Sequence, residues 1–150
     1  MSIQIVAAVI ERDDHRLLIG QRRRQDSSPL KWEFPGGKVR LGESPEQALA
    51  RELKEELDVT LVCAVPISRV EHEYGGGMGS LSITFFAASI VESELCPGPF
   101  EQVAWVLPRE LGTYDFLAAN RRLIAELATG RIKPGEILAS SPQSQLRNNH

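Results

Sequence analysis

Three glutamates lie close together in a segment that is expected to be helical. Glu52, Glu55 and Glu56 occur in the run RELKEEL, and at about 100° per residue their side chains share a stripe about 100° wide. Carboxylates at this spacing repel one another, at a cost of about 0.2–0.5 kcal/mol per pair. The stripe also falls in the C-terminal half of the helix, where the helix dipole disfavours negative charge. Such a conflict between local rules is typical of functional sites.

A divalent cation would remove this conflict. Carboxylate oxygens are hard ligands that suit Mg²⁺ or Mn²⁺, and Mg²⁺ commonly joins a few carboxylates to the phosphate groups of a substrate. A solvated acidic face is the other interpretation, since Arg51 is adjacent in sequence and can pair with Glu55. The stripe alone therefore leaves a metal site and a surface ion-pair network both open.

The helix that carries the glutamates has clear signals at its start. We predict it over residues 44–57, because Ser44 is a good N-cap, Pro45 suits the first helical position and Gln47 completes a capping box. Its apolar residues recur at helical spacing and form one face that can pack on a sheet. These residues are Leu49, Ala50, Leu53 and Leu57.

Strands outnumber helices in the rest of the chain. Apolar and β-branched runs predict strands at 3–10, 16–21, 59–62, 67–74, 80–90 and 103–107. We expect two hairpins, one turning at Asp13–Asp14 and one at Gly75–Gly77, and a glycine-rich turn in WEFPGG at 32–37. A second helix is expected over 116–127, ending before Gly130. The predicted class is α+β, with a mixed sheet and two helices on it.

The context of the acidic helix carries a family resemblance. The chain reads Gly37, five residues, Glu43, seven residues and then RELKEELDV. This resembles the signature of the Nudix hydrolases, Gx5Ex7REUxEExGU, in which U is a bulky aliphatic residue. Only the last glycine departs, and Asp58 stands in its place. Because Asp tolerates the left-handed conformation better than most residues, we expect the helix to end normally. No catalytic group of the signature is missing.

The resemblance covers roughly residues 3–128 and implies a fold as well as a chemistry. The implied fold is the Nudix fold, a mixed β-sheet sandwiched between α-helices. We expect this domain to span 1–130 and to be followed by a partly flexible C-terminal tail over 131–150. The implied reaction is hydrolysis of a nucleoside diphosphate linked to another moiety, with Mg²⁺ as the cofactor or Mn²⁺ in its place.

The resemblance also implies a role for each residue of the signature. Glu43 and Arg51 carry over as orienting groups that hold the catalytic glutamates in place. Glu52 is the candidate base that accepts a proton from the attacking water. Glu101, just before the predicted strand 103–107, is the alternative base on a loop. The expected metal ligands are the carbonyl of Gly37 and the carboxylates of Glu52, Glu55, Glu56 and Glu101.

The segment WEFPGGKVRLGESPEQALARELKEEL is similar to the MutT subfamily, which sanitises oxidised nucleoside triphosphates, and to related CTP and modified-pyrimidine pyrophosphohydrolases. Asn120, in FLAAN, matches the asparagine that reads the edge of 8-oxo-guanine, whereas pyrimidine-preferring relatives tend to carry Asp there. An amide offers both a donor and an acceptor to a ring edge. Arg22 and Phe34 match positions near the base. The alternatives are a helix N-cap for Asn120, a loop charge for Arg22 and a core aromatic for Phe34.

The leading hypothesis is a Mg²⁺-dependent nucleoside triphosphate pyrophosphohydrolase. It would convert oxidised dNTPs such as 8-oxo-dGTP to the monophosphate and pyrophosphate. A CTP or 5-modified-dCTP pyrophosphohydrolase with the same chemistry is the alternative within the family. A nucleotide-binding module without turnover is the alternative from another class, although such modules usually lack one or more of the signature glutamates, all of which are present here.

Composition sets the remaining bounds. With 150 residues and a net charge of −3, the chain suits one domain and does not favour an extended basic surface for a nucleic acid polymer. No apolar run approaches the roughly 20 residues of a membrane span, and we expect no signal peptide. Cys63 and Cys96 form neither a disulfide framework nor a zinc site. We therefore expect a cytoplasmic protein, monomer or homodimer, whose partner is a nucleotide substrate.

Overall fold

In the computed structural model, which describes residues 2–73 and 79–141, two β-sheets stack with three α-helices. The strands are β1 (Ser2–Ile10), β2 (Leu17–Gln21), β3 (Trp32–Glu33), β4 (Gly36–Lys38), β5 (Leu61–Glu73), β6 (Ser80–Ile90) and β7 (Gln102–Val106). The α-helices are α1 (Pro45–Leu57), α2 (Arg121–Ala128) and α3 (Pro134–Ala139), and 3₁₀ turns occupy Pro108–Thr113 and Ala118–Asn120. The predicted α+β class is confirmed.

The larger sheet has the strand order β4-β1-β6-β5, and the smaller sheet has the order β3-β2-β7. Strand β1 runs parallel to β6 and antiparallel to β4, so the larger sheet is mixed, as predicted. Alternate side chains of β1 enter two different cores. One core joins the sheet to α1 and includes Val6, Ala8, Leu49, Leu53 and Phe86. The other joins it to the smaller sheet and α2 and includes Ala7, Val9, Ile19, Phe85 and Leu123.

Helix α1 begins and ends as the sequence predicts. The Ser44 hydroxyl accepts a hydrogen bond from the backbone N–H of Gln47 at 3.1 Å, and the Gln47 side chain accepts one from Ser44 N–H at 2.9 Å. Asp58 adopts the left-handed conformation, with φ 55° and ψ 41°. Three leucines of the helix are fully buried, each contributing about 1.5–3 kcal/mol; they are Leu49, Leu53 and Leu57. Both ends of the glutamate helix are therefore firmly held.

The predicted hairpin between the first two strands is wrong. Strand β2 lies in the smaller sheet. Its link to the end of β1 is an isolated antiparallel bridge between Glu11 and Leu17, next to a hydrogen bond from the backbone N–H of Arg12 to the carbonyl of Arg16. The reason is that both edges of β1 are already paired, with β4 on one side and β6 on the other. The turn at 13–14 is present, but it carries the chain from one sheet to the other.

The glycine-rich segment, predicted as a turn, contains an edge strand. Gly36 and Gly37 lie in β4, which pairs with β1 through Val6 and Ala7. A Cβ atom on Gly36 would overlap the carbonyl oxygen of Val6, so the two strands approach too closely for any side chain there. Glycine thus serves a close backbone contact at this position rather than a turn.

Two further predictions differ in detail. The runs 59–62 and 67–74 belong largely to one strand, β5, which is irregular near Cys63 and at Pro66, as expected for a proline that lacks an N–H. Strands β5 and β6 pair antiparallel as predicted; their connecting Gly75–Gly77 lies outside the described residues. The second helix starts at Arg121, five residues later than predicted.

The segment after residue 130 contains a short helix that the sequence did not indicate. Helix α3 contacts β5 and β6, and its Leu138 is buried. Residues 142–150 lie outside the described part, so the division into a domain over 1–130 and a tail over 131–150 stays a prediction. No helix within residues 2–73 and 79–141 is long and apolar enough to cross a membrane.

Candidate active site

Arg51, in the middle of α1, is the centre of a hydrogen-bonded network. Its Nε and Nη2 donate to the two carboxylate oxygens of Glu43 at 2.7 and 2.9 Å. Its Nη1 donates to Glu52 at 2.8 Å and to Glu55 at 3.3 Å, and Nη2 also reaches the carbonyl of Lys38 at 2.9 Å. These contacts are those expected of an orienting group. One guanidinium ties two of the three helix glutamates to strand β4.

Glu43 is held firmly as the acceptor for this guanidinium. Its carboxylate also accepts a hydrogen bond from the backbone N–H of Arg40 at 2.8 Å. The hydrogen bonds from Arg51, followed by that from Arg40, lower the pKa of Glu43 to about 2. Glu43 therefore carries a negative charge at neutral pH and acts on the network as a fixed counter-charge to Arg51.

Glu56 lies in a different environment from the other helix glutamates. Its Oε1 accepts a hydrogen bond from the backbone N–H of Gly36 at 3.0 Å. Burial raises the pKa of Glu56 to about 8, and the nearby carboxylates of Glu52 and Glu33 add to the shift. A carboxyl group that is buried among other acids binds a proton or a cation more readily than one in water.

Gly37 lies directly beneath the carboxylate of Glu52. A Cβ atom at Gly37 would overlap the Glu52 carboxylate, so only glycine leaves room for the acid at this point. The first residue of the signature and a glutamate of its helical part thus meet in space. The backbone of β4 and the acidic stripe of α1 form one side of the site.

The acidic residues fit a divalent cation by their chemistry. Three carboxylates and the backbone of Gly37 supply hard oxygen donors, and repulsion around Glu56 is of the kind that a cation relieves. Within the described residues, however, no three acidic, histidine or cysteine side chains already converge as a metal-binding group. Glu52 and Glu55 turn towards Arg51, and Glu56 turns towards Gly36. Side-chain rotation would therefore accompany metal binding.

A cleft of about 770 Å³ opens beside this acidic group. Gly36 and Gly37 lie at one end, and the 3₁₀ turn Ala118–Asn120 lies along another wall. The floor is the face of the larger sheet that bears Ile5, Ala7, Leu81, Ile83 and Phe85. Basic residues also line the cleft; they are Arg22, Lys38, Arg69 and Arg122. Glu33 and Glu71 line it as well and pair with Arg22 and Arg69. An apolar floor with charged groups on the walls suits a ligand that has both a flat ring and polar or charged groups.

Asn120 has the geometry of a recognition residue. The residue is 5% exposed, lines the cleft, and its side-chain nitrogen is buried with no hydrogen-bond partner among the described residues. It precedes α2, yet its side chain makes no capping hydrogen bond, so the N-cap alternative is not observed. Since either orientation of an amide places a polar atom in this buried position, the group lacks a partner that a ligand can supply.

Arg22 and Phe34 both line the cleft, and their contact with a substrate base stays a prediction. Arg22 donates from Nη1 to Glu33 at 3.2 and 3.3 Å and from Nε to the carbonyl of Ser27 at 2.7 Å. Phe34 is also part of the core, with its ring centroid 5.6 Å from that of Phe116. The loop-charge and core alternatives are thus compatible with a position in the cleft.

Glu101 is exposed immediately before β7. Its backbone N–H donates to Gln21 at 2.8 Å, but within the described residues its carboxylate has no ion-pair partner. Its role as a metal ligand or base stays a prediction.

Sequence reasoning missed Glu33. This residue lines the cleft, pairs with Arg22 and lies near Glu56. Burial raises the pKa of Glu33, and the charge of Arg22 opposes the shift. The available signal was an acid between two aromatic residues, Trp32 and Phe34, which is unusual on a buried strand.

Comparisons with known proteins agree with this geometry. The family model for the NUDIX domain matches residues 1–128. An 8-oxo-dGTP diphosphatase of Escherichia coli (strain K12) is 30% identical over 125 residues, covering 83% of this chain and 95% of that protein. A CTP pyrophosphohydrolase of the same strain is 31% identical over 135 residues, covering 89% and 98%.

A comparison of the fold with solved structures leads to the same family. A solved MutT structure from work on Aliivibrio salmonicida and Vibrio cholerae superposes with a TM-score of 0.71 at 29% identity, covering 87% of this chain and 99% of that one. The signature glutamates, their guanidinium clamp and the adjoining cleft lie within the matched residues. The chain belongs to the NUDIX domain family, and it is a Nudix hydrolase.

Proposed function

We propose that this enzyme is a nucleoside triphosphate pyrophosphohydrolase that acts on oxidised dNTPs, with 8-oxo-dGTP as the type of substrate. The observation that carries the proposal is the buried amide of Asn120, which lacks a partner in a cleft that adjoins the signature glutamates. An amide can pair with a ring edge that bears both a donor and an acceptor. Similarity to an 8-oxo-dGTP diphosphatase supports the same substrate class.

Mg²⁺ is the proposed cofactor, and Mn²⁺ is its expected substitute. Glu52, Glu55 and Glu56, with the carbonyl of Gly37, would hold the ion, and Glu101 is the further candidate ligand. A divalent ion at this place supplies charge neutralisation on the phosphate oxygens and a lower pKa for the attacking water. The family's general need for divalent cations agrees with this donor set.

The protein's own residues orient the reactants. Arg51, fixed by Glu43, holds the carboxylate of Glu52 in one direction, as an orienting residue outside the metal should. Glu52 accepts the proton of the water that attacks the phosphorus atom, and Glu101 is the alternative base on the loop. Cleavage releases pyrophosphate and leaves the nucleoside monophosphate in the cleft, with its base against Phe34 and Asn120.

Hydrolysis of CTP or 5-modified dCTP is the second candidate. The observation that favours it is the 31% identity to a CTP pyrophosphohydrolase over 89% of this chain. An ionised Asp at position 120 could only accept hydrogen bonds, which suits an exocyclic amine such as that of cytosine. The amide of Asn120 favours the oxidised purine instead.

A substrate panel tests both candidates. Pyrophosphate release is followed with 8-oxo-dGTP, dGTP, CTP and 5-methyl-dCTP in Mg²⁺, at equal enzyme concentration. We expect the highest kcat/KM for 8-oxo-dGTP and a fall of about 10-fold or more with Asn120→Ala, because a bidentate amide pair with a base edge contributes about 1–3 kcal/mol. A cytosine preference that persists in Asn120→Asp would support the second candidate.

The panel also tests catalysis itself. Glu55→Gln and Glu56→Gln should abolish turnover with every substrate. Nucleotide binding in Mg²⁺ without product, measured by calorimetry, would indicate a binding module instead. We further propose a cytoplasmic location and a monomeric or homodimeric state. Light scattering of the purified chain tests the latter.

A further inference from the structure

The last turn of α1 rests on a loop that lies outside the cleft. Gly98 has φ +53°, and a Cβ atom on it would overlap the carbonyl oxygen of Glu56. Two residues earlier, Cys96 donates its backbone N–H to the carbonyl of Leu57 at 3.2 Å. The loop therefore packs directly against the backbone that carries Glu56, and only glycine permits both the conformation and the close approach.

A guanidinium holds this loop in place. Arg23 donates from Nη2 to the carbonyl of Gly98 at 2.7 Å. The backbone of Arg23 is itself fixed, since its N–H donates to the Asp26 carboxylate at 3.1 Å and its carbonyl accepts from Asp26 N–H at 3.2 Å.

Arg23 and Gly98 thus connect the cleft with the end of α1 that carries Glu56. On one side, Arg23 follows Arg22, which lines the cleft and pairs with Glu33. On the other side, Gly98 touches the backbone of Glu56, whose carboxylate is hydrogen-bonded to Gly36. A shift of the loop would move the last turn of α1, and the Glu56 carboxylate would move with it.

We propose that Arg23 and Gly98 are positioning residues that set the place of Glu56 for metal binding. The inference rests on the proposed function only in assigning Glu56 to the metal. Neither residue lines the cleft, so neither is expected to touch the nucleotide. Their effect on the reaction passes through the backbone of α1.

The test compares Arg23→Gln with Arg23→Lys and with Arg24→Gln. Arg24 is the matched control, because it is the adjacent arginine, is exposed, and has no hydrogen-bond or ion-pair partner within the described residues. Binding of Mn²⁺ to nucleotide-free protein is measured by electron paramagnetic resonance. The same variants are then assayed for the Mg²⁺ concentration at half-maximal rate and for nucleotide KM at saturating Mg²⁺.

We expect Arg23→Gln to weaken Mn²⁺ binding by about 10-fold, as for the loss of other groups that orient metal ligands. The half-saturating Mg²⁺ concentration should rise in parallel, while nucleotide KM at saturating Mg²⁺ changes less than about 2-fold. Arg23→Lys should restore part of the binding, because it keeps a donor, and Arg24→Gln should match the wild type. Gly98→Ala should act in the same direction as Arg23→Gln.

The proposal is overturned if Arg23→Gln leaves Mn²⁺ binding unchanged, or if Arg24→Gln weakens it as much. A change confined to nucleotide KM would also overturn it, since that result would place Arg23 in substrate binding. If Gly98→Ala does not fold, Mn²⁺ binding by Arg23→Gln, Arg23→Lys and Arg24→Gln still tests the proposal. Because Mn²⁺ binding needs no substrate, the result stands apart from failure of the proposed activity.

Discussion

At the scale of single residues, the site combines groups that the fold would not tolerate elsewhere. Glu56 lies half-buried among other carboxylates, and this burial, with the charges nearby, raises its pKa to about 8 from an ordinary value of 4.5. Such a group is unfavourable in the metal-free protein whenever it is ionised. With Glu56 as a proposed metal ligand, function and stability would oppose each other at this position, as is common in active sites.

Replacing this one carboxyl should stabilise the metal-free chain. The folded state holds the Glu56 proton more tightly than the unfolded state, so ionisation costs stability progressively as pH rises from about 4.5 to about 8. Glu56→Gln removes that cost and keeps an oxygen for the N–H of Gly36. In EDTA at pH 8, we expect Glu56→Gln to have a higher Tm than the wild type, by about 2–4 °C for each kcal/mol of ionisation cost that is removed. At pH 4 the two proteins should have nearly the same Tm.

Glu55→Gln is the control for this experiment, because the Glu55 side chain is 50% exposed. Thermal unfolding of both variants is recorded by circular dichroism at the two pH values. If Glu56→Gln has a Tm equal to or lower than that of the wild type at pH 8, ionisation of Glu56 does not destabilise the folded protein.

Arg51 should be irreplaceable by lysine. The guanidinium donates to three different carboxylates, and an ammonium group cannot reproduce that planar, forked geometry. We expect Arg51→Lys to lower kcat by about 10–100-fold with a smaller effect on nucleotide KM. Steady-state kinetics decide the point, with the exposed Arg40→Lys as the control. A loss confined to KM would mean that Arg51 binds substrate directly.

At the scale of elements, the site exists because a short glycine strand lies beside an acidic helix. Strand β4 pairs with β1, and α1 packs on the same sheet. Ser44 and Asp58 hold the two ends of α1. The backbone of Gly37 is therefore fixed by the sheet, while the glutamates are fixed by the helix.

Neighbouring glycines in β4 should respond differently to alanine. At Gly36 the added Cβ atom would strike the backbone of Val6, whereas at Gly37 it would strike only the end of the Glu52 side chain. We expect Gly36→Ala to lower Tm markedly, and Gly37→Ala to keep most of the stability but to lose activity. Melting curves and turnover of the pair test this. Similar loss of stability in both variants would contradict it.

The chemistry of the site was more predictable from sequence than its surroundings. The spacing from Gly37 to Glu56 encodes local geometry on one helix and one strand, so Arg51, Glu52 and Glu55 meet where expected. Glu33 was missed because its proximity to Glu56 depends on how the chain passes from β3 into β4, which packs against α1. Local periodicity contains no such information.

At the scale of the whole molecule, strand positions were predictable but their partners were not. The strand that follows β1 was recognised, yet it belongs to a second sheet, because β4 and β6 already occupy both edges of β1. Pairing is decided by contacts between distant segments, which a strand-turn-strand pattern does not reveal. The cleft forms where the two sheets and the Ala118–Asn120 turn meet. Because distant segments of the chain line it, its walls could not be predicted from the sequence of any one segment.

The most direct test of the account is a crystal structure of the protein with Mn²⁺ and a slowly hydrolysed 8-oxo-dGTP analogue. Anomalous scattering would locate the metal independently of the ligand density. We predict an anomalous peak bounded by Glu52, Glu55 and Glu56, with the phosphates on it and the base beside Asn120. A metal and nucleotide bound elsewhere, with no anomalous peak at these three glutamates, would contradict the account.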